Sequence, residues 1–464
     1  YRKKGRNKDA VDIVDFRQEC RRFAEHWIDI QREEFKRLGV TGTWDDPYLT
    51  MDFHAERVIA EEFMTFLMNG SLYQGSKPVM WSPIEQTALA EAEVEYHDKE
   101  SFTIWVKFRV QSPAAAMAVM EEPVDFEDAL FDISTDLDGA YVVIWTTTPW
   151  TMPSNKAVVF GEDVAYGLYE VTGTPEESWA RVGDRYILAD KMAEEVLRRA
   201  RLAPEMYTRV RDVPVTEFRG LRLQHPLAGA EGANGEWDDL RDFRAAGFVS
   251  DEEGTGFVHC APSHGMEEYE LYRDLGMLGE VLTYNVMDDG GFRADLPFFG
   301  GKHILSRKGG EGDANKAVID KLAEVGGLLA RGKLKHSYPH SWRSKAPVIY
   351  RNTPQWFAAI DKPVGGDDTY GKTIRERALR SIDELVTWTP KTGRNRLYSM
   401  IESRPDWVLS RQRAWGVPLT CFTRKGAAPT DPDFLLRDEA VNARILAAFE
   451  EEGADAWYKP GAKA

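Results

Sequence analysis

The sequence predicts an α/β protein in which a mainly β, barrel-like section (residues 101–335) lies between two helix-bearing sections (1–100 and 336–464). Three observations predict it. Short alternating apolar runs crowd the middle section, separated by turn residues. Apolar residues at helical spacing prevail before it. After about residue 331 the character changes again, to basic segments around one strand and further helices.

In the first section, Phe16–Leu38 sets Phe23, Trp27, Ile30, Phe35 and Leu38 on a charged background at helical spacing, and Gly39 ends it. Val58–Met68 reads as a second helix, ended by Gly70. Glu91–Tyr96 and Phe102–Val110 alternate as strands. Further strands are expected at Ala140–Thr146, Ala157–Phe160, Val164–Val171, Arg185–Leu188 and Gly256–His259, with one helix at Lys191–Arg201. Beyond them come a strand at Pro347–Tyr350, a helix at Ile374–Leu385, and a helical, acidic stretch over Ala427–Ala464.

The 464 residues carry a net charge of −17, so a polyanionic partner requires a local basic patch. Such stretches occur at 331–351 and 391–413. No apolar run approaches the roughly 18 residues of a membrane span. Cys20, Cys260 and Cys421 stand far apart, which fits a reducing cytoplasm and argues against a zinc knuckle. The chain starts at Tyr1 with a basic run, Arg2–Lys8, and no apolar stretch follows, so an excised piece of a longer chain is expected.

Four segments carry candidate chemistry. Trp145–Thr151 runs an apolar strand into Thr146, Thr147 and Thr148. Three adjacent hydroxyls can aim at one small polar ligand, and they can equally be a solvated strand end. Gly254–Tyr269 delivers His259, turns at Pro262, and continues to His264 and Glu268. A histidine near a carboxylate suits acid–base work or ammonium binding. Too few ligands are at hand for a metal, and a purely structural turn remains open. Gly366–Thr373 spells the phosphate-loop pattern, but no buried strand precedes it. Lys372 and Thr373 are therefore expected to open the next helix. Trp407–Pro418 packs two tryptophans, two arginines and a glutamine, which suits stacking or phosphate contacts, or a core edge.

Together these segments resemble class I isoleucyl-tRNA synthetases. Trp145–Asn155 (WTTTPWTMPSN) resembles the threonine-rich signature of the family's editing domain, and Gly254–Gly265 (GTGFVHCAPSHG) its second signature. The leucine and valine enzymes carry an arginine–proline pair after the threonines, where Thr148-Pro149-Trp150 stands here. Leu38–Met51, Gly75–Tyr96, Trp342–Tyr350 and Trp407–Pro418 resemble the flanking aminoacylation domain, which is of Rossmann type in the family. H-x-G-H and K-M-S-K-S, which hold ATP there, do not occur in this sequence.

The resemblance implies hydrolysis of valine from misacylated tRNA(Ile) by a positioned water, with no metal or cofactor for editing. ATP and magnesium belong to the parent enzyme. Thr146, Thr147 and Thr148 would hold the terminal adenosine and ester, and His259 would face the amino-acid side chain. Glu268 would bind the α-ammonium, where the family has aspartate. Trp356 and Trp407 would line the isoleucine pocket of the synthetic site, with Gln412 and Trp415 as ligand or tRNA contacts. The expected partners are tRNA(Ile) and its valine and isoleucine esters, for a cytoplasmic monomer without membrane attachment. Alternatives are a tRNA-binding module with an inactive pocket and a stand-alone deacylase.

Overall fold

The computed structural model describes residues 10–111, 136–366 and 368–462; the basic start Arg2–Lys8 and Asp367 lie outside them. Its helices are α1 (Ile13–Arg37), α2 (Phe53–Met68), α3 (Asp190–Arg199), α4 (Met266–Asp274), α5 (Leu278–Val281), α6 (Ala314–Glu324), α7 (Ile374–Glu384), α8 (Thr392–Glu402) and α9 (Glu439–Glu452). Its strands are β1 (Leu72–Ser82), β2 (Thr87–Ala88), β3 (Val94–Gln111), β4 (Tyr141–Thr146), β5 (Ala157–Phe160), β6 (Tyr166–Val171), β7 (Arg185–Ala189), β8 (Tyr207–Asp212), β9 (Arg222–Gln224), β10 (Arg241–Ala245), β11 (Phe257–Cys260), β12 (Leu328–Ser341), β13 (Ile349–Ala358) and β14 (Trp407–Val408).

Contacts divide the chain into two compact units, Tyr1–Gly75 with Pro354–Ala464, and Ser76–Thr353. These boundaries lie outside the 100 and 335 read from composition. The reason is that β3 and β12 pair continuously from Val94↔Ser341 to Val106↔Leu328, apart from one bulge. A change in composition does not mark the end of a strand pair. For the same reason Val94–Tyr96 and Phe102–Val110 belong to one continuous strand, not two, while Glu91–Glu93 forms a 3-10 turn ahead of it.

In the first unit, Asp12 caps α1 by accepting from the amides of Val14 and Asp15 at 2.9 and 3.3 Å. The one buried residue of α1 is Arg17. Its Nε donates to Asp455 Oδ1 at 2.6 Å, and Nη1 donates to the carbonyls of Ala414 and Gly416, each at 2.7 Å. An unpaired charge so deep would cost several kcal/mol, so ring stacking on Trp415 and Tyr458 and these bonds act together. Phe63, Leu67, Leu72, Phe434 and Leu435 form a core beside them. The C-terminal stretch is α-helical only over α9. The segment before it is held by a bridge between Thr423 and Leu435. Thr373 caps α7 together with Glu376, whose Oε2 accepts from the amides of Lys372 and Thr373. Lys372 and Thr373 thus open a helix, as expected.

The second unit is built on a mixed sheet. Its strands run β11-β5-β10-β9-β3-β4-β7-β6-β8, with β12 added on β3. The pairs β5/β10 and β4/β7 are parallel. Among the described residues the end strands β11 and β8 do not pair with each other, so the barrel closure expected from the sequence is absent from this pairing. β-Branched Val142, Val143 and Ile144 of β4 are fully buried. Helix α3 lays Val196 and Leu197 on Tyr186 and Leu188 of β7. Helix α4 docks Tyr272 against Ala157, Val159 and Cys260, which fixes where its N-terminus points.

The basic stretch after residue 331 is largely matched by acids. Lys333 pairs with Glu100 at 2.6 Å, Lys335 with Asp98 at 2.9 Å, Lys345 with Glu95 at 2.7 Å and Arg351 with Asp288 at 2.7 Å. The acids come mostly from β3, across the strand pair. His336 and His340 likewise bond locally, to Ser101 Oγ and to the Tyr338 carbonyl.

Leu188→Ala, at a fully buried position, is expected to lower unfolding stability in denaturant by about 2–5 kcal/mol. Leu275→Ala, at 46% exposure, should change it by no more than about 0.5 kcal/mol.

Candidate active site

Thr146 is the last residue of β4, opposite Ile104 of β3. The chain then tightens into a 3-10 turn, Pro149–Ser154, entered from Thr148 with proline at its first position. The turn is anchored from several sides. Trp150 N donates to Asn315 Oδ1 at 3.0 Å, and Trp237 Nε1 donates to the Pro153 carbonyl at 3.0 Å. The three threonines then divide. Thr148 N donates to Thr146 Oγ1 at 3.1 Å, and the two hydroxyls stand 3.2 Å apart. The Thr147 hydroxyl makes no hydrogen bond among the described residues, which leaves it for a ligand.

His259 sits on β11 opposite Val158. Asn155 Nδ2 donates to its Nδ1 at 2.7 Å, so Nε2 carries the hydrogen and donates to Thr151 Oγ1 at 2.9 Å. Thr151 Oγ1 donates onward to the Thr148 carbonyl at 2.8 Å. Burial, helped by nearby His264, pushes the His259 pKa down to about 3, so the ring is neutral at pH 7. It is a fixed wall and not a titrating base.

After β11, the amides of His264 and Gly265 both donate to the Ala261 carbonyl, at 2.8 and 3.2 Å. This turn swings the chain into α4. His264 Nδ1 donates to the Tyr350 carbonyl at 2.9 Å, and Nε2 accepts from Ser154 Oγ at 3.2 Å. Burial lowers its pKa to about 4.

Glu268 stands in the first turn of α4. No ion pair or side-chain partner holds its carboxyl among the described residues. It folds back over Gly265, where an added Cβ would meet Oε2 at 1.8 Å. Burial raises its pKa to about 7, with a smaller push from Glu267. The helix N-terminus favours the anion, and desolvation outweighs it.

Thr146, Thr147, Thr148, His259 and Glu268 all line one cleft of about 340 Å³. Its other walls include Trp145, Phe257 and the rim residue Glu253. The sequence motifs contained Thr151 and Asn155 without marking their roles; a buried asparagine two residues before a strand was the available signal. Among the described residues no group of three or more His, Cys, Asp or Glu is placed to hold a metal.

The remaining candidates lie in the other unit. Trp356 stacks on Phe434 with centroids 6.3 Å apart, and Trp407 meets Phe66 edge-on at 6.3 Å. Pairing of Ala358 with Trp407 sets the two tryptophans on adjoining strands. Gln412 Nε2 donates to Gln355 Oε1 at 3.1 Å. Trp415 stands apart from them, its ring engaged by Arg17 and Arg21.

Glu268 has a measurable linkage. An ordinary glutamate ionises near 4.5, whereas this one keeps its proton to about 7. Its contribution to stability is therefore complete below about 4.5 and lost as pH rises through 7. Glu268→Gln should be more stable than wild type at pH 8, by on the order of 2 kcal/mol, with the gap closing at acid pH. Urea titrations at both pH values measure it. Equal stability at pH 8 would contradict the buried, unpaired carboxyl.

Residues 1–462 match the family model of class I tRNA synthetases (I, L, M and V). The isoleucine–tRNA ligase of Ruegeria pomeroyi is 78% identical over 464 residues, spanning 100% of this chain and 46% of that protein. That of Bradyrhizobium diazoefficiens is 49% identical over 475 residues, spanning 100% and 45%. The chain thus spans about half the length of the curated relatives it matches. A solved leucyl-tRNA synthetase editing domain of P. falciparum is 11% identical, covering 47% of this chain and 80% of that one, with a TM-score of 0.27. With the family model matched along almost its whole length, and isoleucine–tRNA ligases among its near relatives, the chain belongs to the class I aminoacyl-tRNA synthetases of the isoleucine, leucine, methionine and valine group.

Proposed function

We propose that the parent protein is an isoleucyl-tRNA synthetase and that residues 76–353 carry its post-transfer editing site, which hydrolyses Val-tRNA(Ile). One observation carries this reading: an unpaired carboxyl, Glu268, shares a cleft with the free hydroxyl of Thr147 and a neutral histidine. That set suits a substrate with an ammonium group, an ester and a small apolar side chain. The need for such a site is physical. One methylene in an apolar pocket is worth about 1–3 kcal/mol, and valine against isoleucine is itself the standard case of that limit.

In this reading the Glu268 carboxylate pairs with the α-ammonium, and Thr147 with the Thr146–Thr148 pair holds the terminal adenosine and ester. Water attacks the ester carbonyl carbon, the bond to the ribose oxygen breaks, and valine and tRNA leave. His259 limits the room for the side chain. The flanking unit belongs to the Rossmann-type aminoacylation domain, where Trp356 and Trp407 line the isoleucine pocket and Gln412 and Trp415 serve as contacts of ligand or tRNA. ATP and magnesium supply the synthetic chemistry of the parent, a cytoplasmic protein. The H-x-G-H and K-M-S-K-S motifs that hold ATP in the family do not occur in this sequence.

A second reading, a tRNA-binding module with an inactive pocket, is favoured by one fact: burial raises the Glu268 pKa to about 7, against full ionisation at neutral pH. Deacylation assays decide. The kcat/KM for Val-tRNA(Ile) should rise with pH through about 7, and Glu268→Gln should remove that limb and lower the value roughly 10- to 100-fold. Unchanged hydrolysis in that variant removes Glu268 from the site. His259→Ala should let the cleft hydrolyse Ile-tRNA(Ile), and an untouched cognate ester would refute the exclusion role.

A further inference from the structure

Behind the threonines lies a second, smaller recess. Thr147 and Thr148 line it as they line the cleft, and Lys99, Ser101, Glu311, Asn315 and Tyr338 are the other polar residues of its wall. Lys99 is the feature the hydrolytic reading leaves unused. It projects from β3, with its Nζ 4.3 Å from the centre of the Tyr338 ring. Lys333 and Lys335 on β12 reach diagonally to Glu100 and Asp98 of β3 at 2.6 and 2.9 Å, whereas Lys99 lies opposite His336. Lys99 has no salt bridge among the described residues. The carboxylate that shares the recess is Glu311, whose Oε1 already accepts from Asn315 Nδ2 at 2.6 Å. Burial lowers the Lys99 pKa, and Glu311 only partly offsets this.

An ammonium removed from bulk water without a bonded counter-charge is poised to gain from an anion. The recess has room for about 10 Å³, the size of one water or one oxygen. Room of that size suits a single non-bridging oxygen better than a whole phosphate. A substrate ester held by Thr147 and Thr148 would continue into its own nucleotide backbone. We propose that Lys99 is a substrate-binding residue that receives a phosphate oxygen of the RNA 3′ end while the terminal ester occupies the cleft. The inference rests on the editing reading, because it takes the ester to be that of an RNA.

The test compares two substrates of the intact chain, Val-tRNA(Ile) and valyl-adenosine, an ester with no phosphate. Lys99→Met should raise KM for Val-tRNA(Ile) roughly 10-fold or more with little change in kcat, and leave valyl-adenosine hydrolysis as in wild type. Lys99→Arg should restore much of the loss. The salt dependence of log(kcat/KM) for the tRNA should become shallower by about 0.7 in slope, the share of one single-strand phosphate. An equal loss on both esters, or none on either, overturns the phosphate contact. Filter binding of uncharged tRNA(Ile) separates the two readings. If wild type hydrolyses neither ester yet Lys99→Met weakens binding, the hydrolytic reading falls and the contact stands. If it hydrolyses neither and both proteins bind alike, Lys99 makes no such contact.

Discussion

The cleft depends on one buried hydrogen-bond chain. Asn155 donates to His259, His259 to Thr151, and Thr151 to the Thr148 carbonyl. It ties the 3-10 turn to β11, two segments over a hundred residues apart. Buried polar groups so paired have a single satisfying arrangement, and a shift of either segment would strand a donor at a cost of about 1–3 kcal/mol. The positions of the threonines are therefore set by a histidine that takes no charge.

Around that rigid frame the cleft holds one group that works against folding. Glu268 is half-buried without a side-chain partner, while charges along the β3–β12 pair are matched across it, as Lys333 is by Glu100 and Lys335 by Asp98. An isolated carboxyl is tolerable here because it can keep its proton. A cation arriving in the cleft would reverse that balance. Unfavourable local energetics at a binding site is a common way for a fold to reserve interaction energy for a ligand.

Much of this was legible in the sequence. Strand alternation located β4, β5, β6, β7 and β11, and the two motifs named five residues that do share a cleft. Three things were not legible. Composition could not show that the two strands expected at Glu91–Tyr96 and Phe102–Val110 join through residues 97–101, because the charges there interrupt the apolar alternation. The acids that neutralise Lys333, Lys335 and Lys345 lie more than two hundred residues earlier, so the basic stretch looked unpaired. The commitment of Asn155 and Thr151 to His259 arises only where the turn and β11 meet. In the other unit, Trp356 and Trp407 proved neighbours, whereas Trp415 serves to shelter Arg17.

The bare α-carbon of Gly265 has a wider meaning. The carboxyl of Glu268 occupies the volume that any side chain there would fill. The two positions are thus sterically coupled: a side chain at 265 displaces the Glu268 carboxyl, whereas Glu268→Gln keeps its shape. Even alanine at 265 would drive the acid into another rotamer, displacing its charge without altering its chemistry. A survey of natural variants, or a designer reshaping this cleft for another amino acid, should treat 265 and 268 as a single coupled choice.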